Sequence, residues 1–503
     1  LCIHPGPLSD WLQTCQNFNC TCVVAGGHRN YSIQNDYSFD RLMLDELAFG
    51  YMYRNNGSYG IVAEIRTSNS TWKDLSEKLN REIRIIDVKG NVVCPGFVDA
   101  HCHLREPGFE HKETISSGTK AAAKGGYTTI CAMPNTEPVM DSSQVVEFVL
   151  NKAKAEGVVK VNAIGAISVG SSGGKLTQMK ELFDSGVVGF SDDGNPVNNP
   201  KLMEQALLYS SMFDLPIIDH CEVLELTNDA SVNEGFVSDI LGVKGISSAS
   251  EEIMVARDIL LAKDTGGKLH IAHASTSGTV QLVGLAKEQG VNVTCEVTPH
   301  HLTVSDEIML GNIKDIEHMN VDFKGKKHSL VELEANAYMT NAKVAPPLRS
   351  TKDIEVLISG IKSGIVDFIA TDHAPHSNLD KFCTLDDAAN GISGLETSLA
   401  LTMTLFHNHD VPLSLLVDKL SSSPSKVLKL NSGTLQAGAL ADVTIFDPYK
   451  EWVVKPNEFV SKGKNSPLAG LKLKGQVLAT LVDGEIIYSQ IENNIVDLAQ
   501  ESI

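Results

Sequence analysis

The sequence predicts an α/β protein: a TIM (β/α)8 barrel joined to a small β-sandwich built from the segments that flank the barrel. Three observations carry this prediction. From residue 97 onward, eight short β-rich apolar runs alternate with longer stretches of helical periodicity. The runs are continuously apolar, as strands covered on both faces must be. His and Asp residues gather just after the runs, at the strand ends where this architecture builds its sites. A doubly wound open sheet is the competing architecture, but no Gly-rich phosphate fingerprint follows the first run.

In chain order, residues 1–60 form an N-terminal segment without an assigned role. Cys2, Cys15, Cys20 and Cys22 cluster there with sequons at Asn19, Asn30 and Asn56, which suits a secreted, disulfide-bonded segment. No basic stretch followed by an apolar core marks a signal peptide, however. Residues 61–96 and 436–490 are assigned to the sandwich. The stretch IRIIDVKGNVV (83–93) reads as a hairpin before the first barrel strand. Residues 441–448 and 475–489 alternate like strands, with Asp483-Gly484 as a hairpin turn. Residues 97–435 are the barrel. Its strands are expected at 97–100, 127–132, 161–167, 187–190, 215–219, 269–272, 291–297 and 366–370, and its clearest helices at 142–155, 200–212, 250–263, 279–288 and 352–363. A polar insertion at 311–338 separates the seventh and eighth strands.

Bulk properties narrow the function. A formal charge of −20 disfavours nucleic acid and anionic membranes as partners, and no apolar run reaches transmembrane length. The six cysteines from Cys94 onward are scattered singly, often inside apolar runs, as buried reduced thiols of a cytoplasmic protein are.

The polar residues at the strand ends carry the chemistry. The first strand runs into FVDAHCHLREPG, where His101 and His103 occupy alternate positions and therefore project to one side. Asn135 follows the second strand, Asp192 and Asp193 the fourth, His220 the fifth, His273 the sixth, His300 and His301 the seventh, and Asp372, His373 and His376 the eighth. Any one of these alone reads as a satisfied structural group. A ring of them needs a common partner, because each buried polar group costs on the order of a few kcal/mol unless paired. A divalent metal centre is such a partner. Imidazoles with carboxylates and no thiolate suit Zn²⁺, with Mn²⁺, Co²⁺ or Fe²⁺ compatible with the same geometry. Four histidines exceed what one open catalytic zinc needs, so one or two ions are expected, and the Asp192-Asp193 pair offers a bridging ligand.

The motifs DAHCHLREPG, AMPNT, FSDDG, DHCE, IAHAST, APPLR and TDHAPH, taken together, resemble the amidohydrolase superfamily and, within it, the type I class of dihydroorotases. The resemblance covers about residues 83–490. It implies that His101, His103, His220 and His273 are metal ligands and that Asp372 is both a ligand and the catalytic base. Asp193, 27 residues before His220 as in this class, would be the bridging carboxylate. It further implies reversible hydrolysis of (S)-dihydroorotate to N-carbamoyl-L-aspartate in de novo pyrimidine (UMP) biosynthesis, by metal-activated hydroxide with Asp372 as proton shuttle. Arg105, Asn135 and His376 would hold the substrate carboxylate; the competing reading of Arg105 is a salt bridge to Glu106 or Glu113 at the rim. A homo-oligomer and an aspartate transcarbamoylase partner are also implied. Related hydantoinases and allantoinases bridge their metals with a carboxylated lysine on strand four, where this chain reads Gly-Phe-Ser-Asp-Asp. The family commonly has Asn where Ala345 stands here. The alternatives are a hydantoinase- or allantoinase-like cyclic amidase, and a silent barrel acting as scaffold for aspartate transcarbamoylase.

Overall fold

The computed structural model describes residues 22–26, 48–55, 59–67, 83–88, 90–311, 336–491 and 495–497. Eight strands form one parallel sheet in sequential order: β1 (Phe97–Cys102), β2 (Tyr127–Ala132), β3 (Lys160–Gly165), β4 (Val187–Ser191), β5 (Ile217–Asp219), β6 (Leu269–Ile271), β7 (Val293–Val297) and β8 (Phe368–Ile369). The sheet closes on itself just beyond β8. Cys102 and His373 form a parallel bridge, and the His103 N–H donates to the His373 carbonyl at 2.9 Å. This is the expected barrel, with each strand at its expected place in the chain.

The helices between the strands start and stop where local chemistry dictates. α1 (Ile115–Lys124) opens on a capping box between Thr114 and Ser117, and α4 (Pro200–Ser211) on Asn199 with proline at the first turn. α2 (Ser143–Glu156), α3 (Met179–Asp184), α5 (Ala249–Thr265), α6 (Ser277–Glu288) and α7 (Thr351–Ser363) complete the ring up to β8. α1 and α3 escaped the sequence reading: α1 carries Gly118 in its middle and α3 is barely two turns long. Successive β7 residues alternate, so Val293, Cys295 and Val297 pack against the helices while Thr294 and Glu296 turn toward the lumen. Ala100, Cys131, Ile164, Ile218, Ala272 and Phe368 belong to a separate inner core.

The flanking segments form two further sheets. Glu485–Ser489, Lys472–Val482, Val443–Val453 and Val92–Pro95 make an antiparallel four-stranded sheet, while Cys22–Gly26, Ile83–Asp87 and Ile495–Asp497 make a three-stranded one. The expected hairpin at 83–93 does not form: Ile83–Asp87 pairs with Cys22–Gly26 and Ile495–Asp497, and Val92–Pro95 pairs with Val443–Val453. The chain crosses from one layer to the other at this point. Ile86 and Val88 can then bury themselves against Val443, Ile445, Ala479 and Leu481 across the two layers. The first sixty residues, given no role from sequence, contribute the strand Cys22–Gly26 to this arrangement. Apart from its ends, the polar insertion at 311–338 lies outside the described residues. No helix among the described residues is long and apolar enough to cross a membrane.

Candidate metal centre at the barrel mouth

Five strand ends deliver buried polar side chains to one point. β1 brings His101 and His103, β4 runs into Asp193, β5 into His220, β6 into His273 and β8 into Asp372. Asp193 stands at the crossing. Its Oδ1 lies 3.4 Å from His101 Nε2, 3.6 Å from His273 Nε2 and 3.9 Å from His220 Nδ1, and its Oδ2 lies 3.5 Å from His103 Nε2. Two sets able to hold an ion result, His101–His103–Asp193 and Asp193–His220–His273, with Asp193 common to both. Asp372 Oδ1 is 3.1 Å from His103 Nε2 and 3.6 Å from His101 Nε2, on the side of the first set.

Three imidazoles have their other nitrogen occupied. His101 Nδ1 donates to Glu296 Oε1 at 2.6 Å, His103 Nδ1 to Asn135 Oδ1 at 2.8 Å, and His220 Nε2 to Glu222 Oε2 at 3.2 Å. These bonds aim His101 Nε2, His103 Nε2 and His220 Nδ1 inward, the orientation that metal-ligating histidines take. His101 Nε2 and Asp193 Oδ1 are buried without a hydrogen-bond partner. Buried orphans among imidazoles and carboxylates fit a divalent cation.

The imidazoles and carboxylates of the cage oppose one another in charge. Burial works against charge on His101, but the Asp193 and Glu296 carboxylates outweigh it and hold the imidazole pKa well above its usual value. His220 is likewise raised against its burial, by Glu222 and Asp193. Burial, reinforced by Arg105, lowers His103. Burial also opposes the charge on Asp193 and Asp372, yet the surrounding histidines keep both carboxyls below the usual range.

Asp192 faces away from this cage. Its Oδ1 accepts the backbone N–H groups of Ile167 and Ser168 at 2.8 and 3.0 Å, and its Oδ2 accepts the Ser168 hydroxyl, so it ties the loop after β3 to the end of β4. Arg105 pairs with neither Glu106 nor Glu113. Its Nε donates to the Pro375 carbonyl at 3.3 Å and its Nη2 lies 3.4 Å from His376 Nε2. Glu106 is taken by Lys152 at 2.8 Å, and Glu113 lies 3.4 Å from His373 Nε2. His376 Nε2 donates to the Asn390 carbonyl at 2.8 Å, so its Nδ1 is the acceptor for Lys112 Nζ at 3.3 Å. Burial, with Arg105 and Lys112 adding to it, pushes His376 down to about 3, leaving it neutral at ordinary pH. Arg105, Lys112 and neutral His376 line one wall beside the His and Asp cage; Lys112 is met by Asp380 at 3.4 Å, so the Arg105 guanidinium is the group there suited to an anion.

Asn135 joins the two regions: its Oδ1 orients His103, and its Nδ2 lies 3.4 Å from Asp193 Oδ2. Glu296, Lys112 and Asn465 were not singled out from sequence, and Glu222 stood there only as the last residue of DHCE. Glu296 left the clearest trace, a lone carboxylate inside the otherwise apolar strand VTCEV. A third buried cluster, Asp219, Cys221 and Asp258, has its charge met by Arg257, which donates to Asp258 Oδ1 at 2.7 and 2.8 Å.

A family model described as Dihydro-orotase-like matches residues 90–279. The chain is 47% identical over 407 residues to a dihydroorotase of Thermoanaerobacter sp. strain X514, covering 81% of this chain and 88% of the relative. It is 47% identical over 433 residues to a dihydroorotase of Acetivibrio thermocellus, covering 86% and 95%. Among solved structures it resembles the L-hydantoinase (dihydropyrimidinase) from Arthrobacter aurescens, with a TM-score of 0.72 at 24% identity over 88% of this chain and 93% of that one. It also resembles a dihydropyrimidinase from Brevibacillus agri, with a TM-score of 0.70 at 18% identity over 93% and 94%. At such identities these structures speak for the fold alone.

Proposed function

This chain belongs to the dihydroorotase family of the amidohydrolase superfamily, and from that premise we propose that it interconverts (S)-dihydroorotate and N-carbamoyl-L-aspartate at the mouth of its barrel. The observation that carries the reading is Asp193, a carboxylate within reach of four imidazoles and common to two potential ion sites. The family is metal-dependent; His101, His103, Asp193, His220, His273 and Asp372 would hold the metal, and zinc suits this donor set. Bound there, it would supply Lewis acidity toward the ring carbonyl and acidify a water.

The chain's own groups account for the remaining steps. Asp372, kept ionised by His103 and His101 despite its burial, takes a proton from the attacking water and returns it to the departing amide nitrogen. Arg105 meets the substrate carboxylate, with Asn135 and His376 completing that wall. His376, being neutral, adds no charge to that wall, and its bonds to the Asn390 carbonyl and to Lys112 fix its ring there. A carboxylate-bearing cyclic amide suits this wall better than hydantoin or dihydrouracil, which present no charge to Arg105. Asp193 in place of a lysine after β4 also separates this chain from the hydantoinase-like reading. The free thiols among the described residues, five of six buried, support a cytoplasmic setting. The same reading extends to a homo-oligomer and to aspartate transcarbamoylase as a partner, both accessible to native mass measurement with and without that enzyme.

The deciding experiment assays dihydroorotate, dihydrouracil, hydantoin and allantoin side by side. Dihydroorotate is expected to be preferred by orders of magnitude, because an unpaired guanidinium in a half-buried wall penalises uncharged analogues. Arg105→Met is expected to narrow that preference while leaving metal content intact. Equal turnover of hydantoin or dihydrouracil by the wild type would replace this reading with a general cyclic amidase.

A further inference from the structure

Among the described residues, Glu296 is the one carboxylate that touches both potential ion sites from behind. It is fully buried on β7, facing the lumen. Its Oε1 accepts two hydrogen bonds, from His101 Nδ1 at 2.6 Å and from the backbone N–H of His273 at 3.3 Å. Its Oε2 is held by His270 Nε2 at 3.3 Å, and His270 is fixed in turn by Thr294 Oγ1 at 2.8 Å and by stacking on Phe368 with ring centroids 4.9 Å apart. His101 belongs to the first ligand set and His273 to the second. The His273 backbone has φ 31°, in the left-handed region that non-glycine residues adopt only when their surroundings hold them there. The bond from its N–H to Glu296 is such a restraint.

We propose that Glu296 is a shared positioning residue for the metal centre: through one oxygen it fixes the ring of His101 and the backbone of His273, so that both ion sites are set by the same carboxylate. This rests on the reading of the barrel mouth as a metal centre. A carboxylate behind a ligating imidazole fixes its tautomer and raises its basicity, and losing such a partner weakens metal binding about ten- to a hundredfold. Glu222 stands behind His220 in the same manner, but it touches the side chain of one set only. The competing account makes Glu296 a buried ion-pair partner that matters to folding and not to metal.

Zinc affinity measured by competition with a chromophoric chelator separates the two accounts. The wild type, Glu296→Gln and Glu296→Asp are compared, with thermal unfolding of each metal-stripped protein recorded alongside. Glu296→Gln keeps the shape and removes the charge; Glu296→Asp keeps the charge and withdraws its reach. Both variants are expected to bind each zinc about ten- to a hundredfold more weakly, beyond any change in metal-stripped unfolding. If the glutamine variant does not fold, the aspartate variant decides. Wild-type zinc affinity in a folded variant, or a loss confined to one ion, overturns the proposal. A wild type that takes up no divalent ion overturns the metal-centre reading and this inference with it. Failure to hydrolyse dihydroorotate would overturn only the substrate assignment.

Discussion

At Asp192 and Asp193 two adjacent carboxylates serve different ends, because the chain turns directly after β4, with the Asn195 N–H bonded to the Asp192 carbonyl, and sends them to opposite sides. Asp193 looks into the cage of imidazoles, while Asp192 accepts bonds from Ile167 and Ser168 behind it. Asp193→Ala should therefore lose at least one metal ion, and Asp192→Ala should keep its metals and show a loosened loop after β3. Metal analysis and proteolysis of both variants check this, and equal metal loss would contradict it. At this scale the sequence was informative wherever a motif pairs residue type with spacing: the His-x-His that closes β1 and the second aspartate after β4 meet in space. It was silent on Glu296 and Asn465, whose partners lie far along the chain, and it left Glu222, at the end of the DHCE motif, without a role. Nothing local in VTCEV says that its glutamate meets a histidine 195 residues away.

At the scale of elements, the site depends on how the loop after β8 is held. Asn465, from the segment that follows the strand Val443–Val453, uses its whole carboxamide on that loop. Its Nδ2 donates to the carbonyls of Ala374 and Gly391 at 3.0 and 2.9 Å, and its Oδ1 accepts the His376 N–H at 2.9 Å and the Ser393 hydroxyl at 2.8 Å. A carboxylate of the same shape would face two carbonyl oxygens with no hydrogen to share. Asn465→Asp is expected to cost about 2 kcal/mol or more of stability and, if His376 serves the substrate as proposed, to raise KM more than it lowers kcat. Denaturant unfolding and steady-state kinetics measure both; a variant as stable as the wild type would show that the loop is held elsewhere. Strands and long amphipathic helices were legible because burial imposes a period on them. The false hairpin at 83–93 arose because local alternation fits one layer or two equally well, and only the partner strands Cys22–Gly26 and Val443–Val453 decide between them.

For the whole molecule, the barrel mouth couples metal to folding, and the charges in the cage fix the sign of the pH dependence. In the metal-free protein His101 and His220 have raised pKa values, so their ion pairs with Asp193, Glu296 and Glu222 contribute stability that is fully present below the unfolded histidine value of about 6.5 and lost as pH rises through the folded ones. Metal binding runs the opposite way: it needs the imidazoles as neutral ligands, so apparent affinity rises with pH and protons are released on binding. A ligand that binds only the folded state adds about 2.7 kcal/mol per site at a hundredfold excess over its Kd. The stability gap between metal-loaded and metal-stripped protein should therefore widen steadily from mildly acidic to mildly alkaline pH. Because the two trends oppose each other, the widening should come from both curves, the stripped protein falling while the loaded one gains. Thermal unfolding across that range, paired with calorimetric zinc titration in buffers of different ionisation heat, reads the gap and the released protons separately. A gap that stays constant, or binding that releases no protons, would mean that the imidazoles at the barrel mouth are already neutral without metal. The carboxylates around them would then have to be balanced by other cations.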